Sequence, residues 1–317
     1  MAKSRKKSAS KELVRAGRCA IVGRPNVGKS TLLNALLGQK LAIVAQKPQT
    51  TRTHILGVYF SDNPPTQIAF LDTPGLHRPK NALGRALVES AKGVMSDAEV
   101  VVLVTDIRSD DTPEIMIARD AEVLDTVIAA ARPTLLAINK IDRVKDKTRL
   151  FTILEAYQEK HPFEAFIPIS ATKRSNLDGL VNEIRSRLPE GRLYEDDDFV
   201  TDRPERFFAA ELVREAVIAY TREEVPHSVA VLIEKFADDD TMVTVEATIL
   251  VEKTSQKKIV IGAGGLMLKR IGTDARKQIE EMVRKKVFLK LWVKVAEGWT
   301  DNEDRVRLVT RAEGGGL

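Results

Sequence analysis

Eight residues near the start of the chain, Gly23-Arg24-Pro25-Asn26-Val27-Gly28-Lys29-Ser30, set two glycines, a lysine and a hydroxyl at the spacing G-x-x-x-x-G-K-[ST]. Glycines let backbone N–H groups close around anionic oxygens, and a helix beginning there adds the positive end of its dipole. The chemistry this suits is the grip of a polyphosphate. Lys29 would reach β- and γ-phosphates, and the Ser30 hydroxyl would hold Mg²⁺. The flanks supply the required context, with Ala20-Ile21-Val22 as a strand before the loop and Thr31 to Leu37 as a helix after it. Gly23 through Thr31 are therefore expected nucleotide contacts.

Asp72-Thr73-Pro74-Gly75-Leu76 follows a second apolar run ending at Leu71. An acid at a strand end can hold Mg²⁺ through water, and the Gly75 amide is placed to sense a γ-phosphate. In Gln49-Thr50-Thr51-Arg52 one threonine, either Thr50 or Thr51, is expected to complete the Mg²⁺ shell. Asn139-Lys140-Ile141-Asp142 fixes the base. The Asp142 carboxylate can accept from guanine's ring N–H and its exocyclic amine, a donor pair adenine lacks, so ATP would leave a buried charge unpaired. Lys140 would stack on the base and Asn139 would tie neighbouring loops together. Ser170-Ala171-Thr172 would offer backbone N–H groups to guanine O6.

These residues point to binding and hydrolysis of GTP to GDP. The place after Asp-x-x-Gly where small signalling GTPases carry a water-orienting glutamine is Leu76, which cannot do that work, and His77 beside it reads as a bystander. The catalytic set is accordingly Lys29, Asn26, Thr50, Thr51 and Gly75, with Asn26 expected to help hold a potassium ion beside the phosphates. Slow intrinsic turnover is expected.

The elements that must position this chemistry are legible as apolar runs: Ala20 to Val22, Gln67 to Leu71, Val100 to Val104, Thr134 to Ile138 and Ala165 to Ile169. Continuous apolar strands separated by amphipathic stretches imply a doubly wound α/β sheet covered on both faces. The chain's 317 residues and 43% hydrophobic content suffice for two cores. One cysteine, Cys19, excludes an intramolecular disulfide and reads as a small buried residue at a strand start. No run of about 18 apolar residues is present to span a membrane, and the basic N-terminus lacks the apolar core of a secretory signal. The predicted organisation is a basic flexible tail over 1–16, the P-loop domain over 17–189, a linker over 190–203, a smaller α+β unit over 204–298 and a C-terminal tail over 299–317.

In that second unit the expectation is a helix from about Pro204, strands at Val229 to Phe236 and Val243 to Val251, and a further strand at Lys257 to Ile261. The loop Gly262-Ala263-Gly264-Gly265, an amphipathic helix and a strand at Phe288 to Val295 complete it. The loop fits G-x-x-G, with which KH domains clamp nucleic-acid backbone. Lys253, Lys257, Lys258, Lys269, Arg270, Arg276, Lys277, Arg284, Lys285 and Lys286 are expected to surround it, a basic excess suited to phosphates. Lys257, Lys258, Gly262 to Gly265, Lys269 and Arg270 are the candidate RNA contacts.

From about Ala20 to Val295 the chain resembles the Era family of bacterial GTPases. The resemblance rests on Gly23 to Asn34, Gln49 to Arg52, Asp72 to His77 and Asn139 to Asp142. It rests also on Thr201-Asp202-Arg203, Gln256 to Gly262 and Leu291 to Val295. It implies a type II KH domain binding the 3′ end of small-subunit (16S) ribosomal RNA, and a role in assembling the 30S subunit. It further implies peripheral contact to the inner membrane; the single cysteine suits a reducing cytoplasm, and a monomer is expected. Two departures stand out: the basic extension Lys3 to Lys11, and Ala263-Gly264 where the family often has a lysine, which shifts that phosphate contact toward Lys269. A different class of reading is a membrane-associated signalling GTPase whose C-terminal unit binds protein. The clustered lysines favour RNA, and Asp142 opposes an ATP-dependent enzyme.

Overall fold

Runs of Val, Ile and Leu with no polar face can be buried only in a sheet covered on both sides. In a computed structural model, which describes residues 14–44, 51–79, 81–221 and 225–313, these runs form one sheet of six strands. They are β1 (Arg15–Val22), β2 (Ile55–Asp62), β3 (Pro65–Asp72), β4 (Val100–Asp106), β5 (Thr134–Asn139) and β6 (Ala165–Pro168). Their order is β2-β3-β1-β4-β5-β6, all parallel except the antiparallel β2–β3 pair. Alternate residues of β1 serve opposite layers. Cys19 and Ile21 pack with α1 (Lys29–Leu37) and α5 (Leu177–Arg185), while Ala20 and Val22 pack with α2 (Ala82–Ser96), α3 (Pro113–Ala130) and α4 (Arg149–Lys160). Cys19 is fully buried, and burial beside Glu99 pushes its thiol pKa far up, so it is inert packing. The strand order reverses at β1, and the loops leaving the carboxyl ends of β1, β3, β4 and β5 converge there, where doubly wound folds bind ligands.

The second unit comprises α6 (Glu205–Tyr220), the short α7 (Val225–Ser228), β7 (Ala230–Asp238), β8 (Met242–Val251), α8 (Thr254–Ile261), α9 (Leu266–Val283) and β9 (Lys286–Val295). Helices α6, α8 and α9 bury one face of a sheet ordered β7-β8-β9. The pair β8–β9 is parallel and so needs a crossover, which α8 and α9 supply. This corrects the strand predicted at Lys257 to Ile261: those residues are helical. Gln256 and Val260 are the buried pair, four apart, and the Gln256 side chain accepts the backbone N–H groups of Glu252 and Lys253 at the helix start.

Two further features depart from the sequence expectation. Residues 190–203 lie hydrogen-bonded along the β2–β3 edge, with Val58 N–H to Val200 O at 2.8 Å and Leu193 N–H to Gln67 Oε1 at 2.8 Å. The stretch read as a C-terminal tail carries α10 (Glu303–Glu313). Trp299, only 1% exposed, joins Val306 and Val309 to Ala82, Leu83 and Leu87 of α2, forming an apolar seam between the units.

Candidate nucleotide-binding site

The loop from Gly23 to Gly28 connects β1 to α1 and brings its carbonyls close to the Lys29 ammonium. Gly28 has φ 103°, and a Cβ there would lie 2.4 Å from Asn139 Nδ2, so only glycine lets the two loops touch. Gly75 is pressed against the same loop: a Cβ would come within 2.7 Å of Pro25 N. Lys29 is 6% exposed, and its Nζ donates to Gly23 O at 3.1 Å and Arg24 O at 3.0 Å. Burial pulls its pKa down to about 8, against the opposing charge of Asp72 and with help from Arg24.

Ser30, Thr51 and Asp72 meet in one place. Ser30 Oγ donates to Asp72 Oδ2 at 2.8 Å, Thr51 Oγ1 reaches the same oxygen at 3.3 Å, and the two hydroxyls are 2.9 Å apart. Asp72 is fully buried, its carboxyl pushed up by that burial against the pull of Lys29. Its Oδ1 has no hydrogen-bond partner among the described residues. An orphaned buried carboxylate oxygen beside two hydroxyls is the donor set a hard divalent cation takes, so these residues fit Mg²⁺. Thr50 lies outside the described residues.

At the base end, Asn139 is the junction. Its Nδ2 donates to Val27 O at 2.8 Å, and its Oδ1 accepts the N–H groups of Lys140 at 2.8 Å and Ala171 at 3.0 Å. Asp142 stands exposed, oriented by Ser170 Oγ at 2.5 Å. The Lys140 Nζ donates to Asn26 O at 2.8 Å and Asp106 Oδ2 at 2.9 Å, so its stem spans the mouth of the loop. Ser170 spends its own N–H on Ser175 O at 3.2 Å, and Ala171 spends its on Asn139. Of that triplet it is Thr172 that lines the cavity.

The cavity is about 420 Å³ and includes Asn26, Lys29, Ser30, Thr51, Gly75 and Lys140 in its wall. Ile43, Val44 and Arg143 line it too; no motif marked them, because their placement depends on how the chain folds back. Some side chains of the predicted contact residues turn inward. The Arg24 guanidinium pairs with Asp106 at 3.0 Å and with Asp120, away from the cavity. Burial pushes the Asp106 carboxyl up, but hydrogen bonding and charge from Lys140, with charge from Arg24, leave it below its ordinary value. Val27 and Leu76 are core residues, and the Thr73 hydroxyl donates to Ile21 O at 2.9 Å. The side chain of Asn26 is exposed, on a residue with φ 66°.

In the second unit Gly262 to Gly265 join α8 to α9, with Gly262, Gly264 and Gly265 all at positive φ. Ile259 is 46% and Leu266 70% exposed beside the loop, and Lys258, Lys269 and Arg270 are exposed around it. The Arg270 guanidinium rests 4.4 Å over the Tyr220 ring. The ten basic residues do not all surround this loop. The 18 residues of α9 extend about 27 Å, which carries Arg284, Lys285 and Lys286 to the far end. Lys285 pairs with Asp238 at 2.6 Å and Arg276 with Glu280 at 3.0 Å.

A strand–glycine loop–helix carrying Lys29 and Ser30, with Asp142 held by Ser170 beside it and a glycine-loop α+β unit following, has the features of a P-loop GTP-binding protein with a KH domain. Profile comparisons agree: one described as "50S ribosome-binding GTPase" matches residues 18–140, and one described as "KH domain" matches 224–300. The chain is 46% identical to GTPase Era of Leuconostoc citreum, over 90% of this chain and 93% of that one. It is 44% identical to GTPase Era of Trichlorobacter lovleyi, over 92% and 96%. The chain belongs to the Era family of GTPases. Among solved structures it is similar to Era in complex with MgGDPNP and nucleotides 1506–1542 of 16S ribosomal RNA (40% identity, TM-score 0.88, covering 96% of this chain and 100% of that one). It is similar also to a substituted Aquifex aeolicus Era bound to GDP·AlF4⁻ (39% identity, TM-score 0.87, covering 96% and 100%).

Proposed function

We propose that this chain hydrolyses GTP with Mg²⁺ and, through its glycine loop, binds the 3′ region of 16S ribosomal RNA in the assembly of the 30S subunit. The observation that carries the reading is the match of 96% of the chain to an Era that holds both ligands. The cytoplasm is the compartment this implies. No helix among the described residues is long and apolar enough to cross a membrane.

In this reading Asp142 and Ser170 select guanine, Asn139 holds the base and phosphate loops in register, and Lys140 covers the base face. The backbone N–H groups from Gly23 to Thr31 and the Lys29 ammonium take up phosphate charge, giving Lys29 better partners than the two carbonyls it holds now. Ser30, Thr51 and the orphaned oxygen of Asp72 hold Mg²⁺, which supplies positive charge at the β- and γ-oxygens. The Gly75 N–H, fixed by its contact with Pro25, donates to the γ-phosphate. Leu76 offers no polar atom to water, so positioning and electrostatics supply the rate.

The RNA half is tested by measuring affinity for a 3′-terminal 16S fragment as salt is raised. Replacing Lys257 and Lys258 by alanine should reduce the slope of log K against log salt by about 0.7 for each phosphate that is no longer neutralised. Salt-insensitive binding unaffected by both changes would favour a protein partner for the C-terminal unit.

A further inference from the structure

Two stretches that border the nucleotide cavity are held by the C-terminal unit. Arg52 follows Thr51, whose hydroxyl reaches Ser30 and Asp72, yet the Arg52 side chain is 3% exposed and lies in the other unit. Its Nη1 donates to the Val229 carbonyl at 2.6 Å, and its guanidinium stands 5.5 Å from the centroid of the Trp299 ring. Ile43 and Val44 also line the cavity, and the Val44 N–H donates to Glu215 Oε1 at 2.9 Å. The other Glu215 oxygen takes Lys40 Nζ at 2.5 Å, and Lys40 also reaches Gln278 at 2.7 Å.

Glu215 belongs to α6 and Gln278 to α9, while Val229 precedes β7 and Trp299 follows β9. Separate parts of the second unit therefore converge on residues 40–44 and 51–52. Two of these contacts, Arg52 to the Val229 carbonyl and the Val44 N–H to Glu215, join a largely desolvated charge to a backbone group, and such hydrogen bonds are strong and costly to break. Two stretches at the cavity wall are thus held partly from outside the domain that carries residues 23–31.

We propose that Arg52 and Glu215 are positioning residues for GTP: through Val229, Trp299 and Glu215 the C-terminal unit holds Thr51 and Ile43-Val44 where a triphosphate is favoured over a diphosphate. The proposal rests on the nucleotide reading above. Thr51 acts at the cation and γ-phosphate end, so loss of its support is felt by GTP. A diphosphate keeps its contacts to residues 23–31 and to the base motif.

The test is equilibrium titration of the full chain, with Mg²⁺, against a fluorescent non-hydrolysable GTP analogue and fluorescent GDP. Arg52→Gln and Glu215→Ala should each weaken the triphosphate by roughly tenfold and leave GDP within about twofold, well inside that difference. An unchanged triphosphate-to-diphosphate ratio in both variants overturns the proposal, whether both affinities stay or fall together. Should Arg52→Gln fail to fold, which a thermal melt reveals, the ratio in Glu215→Ala decides. The parent chain, titrated with adenine and guanine nucleotides, is the separate check: no guanine preference there would sink the nucleotide reading itself.

Discussion

Asp142→Asn keeps the shape of a side chain while exchanging an acceptor for a donor. In the protein one carboxylate oxygen already takes the Ser170 hydroxyl at 2.5 Å, which orients the group and leaves lone pairs for the ring N–H and exocyclic amine of guanine. Asp142 is exposed without nucleotide, so the low end of the range for a charged hydrogen bond applies, about 1.5 kcal/mol each. Two such bonds contribute about 3 kcal/mol, or roughly 150-fold in Kd. The asparagine amide would face guanine's donors with its own N–H, whereas xanthine presents a carbonyl at that carbon. GTP should therefore bind about a hundredfold more weakly and XTP more tightly by a comparable factor. Competition against a fluorescent nucleotide, with both triphosphates and both proteins, measures all four constants. GTP binding to Asp142→Asn within a few fold of the parent would refute the assignment of this carboxylate to the base edge.

Four further outcomes are expected. In the nucleotide-free chain burial holds Lys29 at about 8, below its ordinary 10.5. GTP affinity should accordingly fall as pH rises through that value, approaching about tenfold per unit, while Lys29→Arg stays flat by comparison. The same shift makes the empty fold more stable from pH 8 towards 10.5, where the unfolded chain still keeps that proton; a denaturation series that declines over this window would contradict it. With Asn26 as a potassium ligand, hydrolysis should run roughly tenfold or more faster in potassium chloride than in sodium chloride, and equal rates would remove the ion from the account. Trp299→Ala empties a site 1% exposed and deletes the indole N–H bond to Ser228 O at 2.8 Å. It should cost about 3–5 kcal/mol in chemical denaturation, and a loss below about 1 kcal/mol would mean that the seam with α2 bears little.

The first domain was readable because its signals are local. Val100 to Val104 is apolar at every position, and the loop from Gly23 to Ser30 carries its chemistry in eight consecutive residues. What misled was whatever a distant partner decides. The partner of the Arg24 guanidinium is Asp106, 82 positions away, which the loop motif does not show. Lys257 to Ile261 looks like a strand because three branched apolar residues adjoin. Gln256 instead folds back on the chain and Val260 alone is fully buried, which is a helix's spacing. The C-terminal helix offers Val306 and Val309 and leaves Leu308 67% exposed; a stripe that narrow becomes a packed face only when α2 and Trp299 are there to meet it.

Placement within the second unit also bears on how its two ends can communicate. The glycine loop opens α9 at Leu266, while Gln278, on the last turns of the same helix, meets Lys40 beside the nucleotide cavity. A single helix of about 27 Å therefore has one end among the candidate RNA contacts and the other among the contacts to the GTP-binding domain. A helix packed along its length through Ile271, Ala275 and Ile279 shifts as a body rather than bending locally. Any displacement imposed at Gln278 is then delivered at Leu266 without a chain of side-chain rearrangements between them. Linkage makes the consequence reciprocal: the factor by which GTP alters RNA affinity must equal the factor by which RNA alters GTP affinity. Titrating the RNA fragment against the full chain, with and without the GTP analogue, measures that factor from either side. A value of one would mean that this helix transmits nothing between the two ligands.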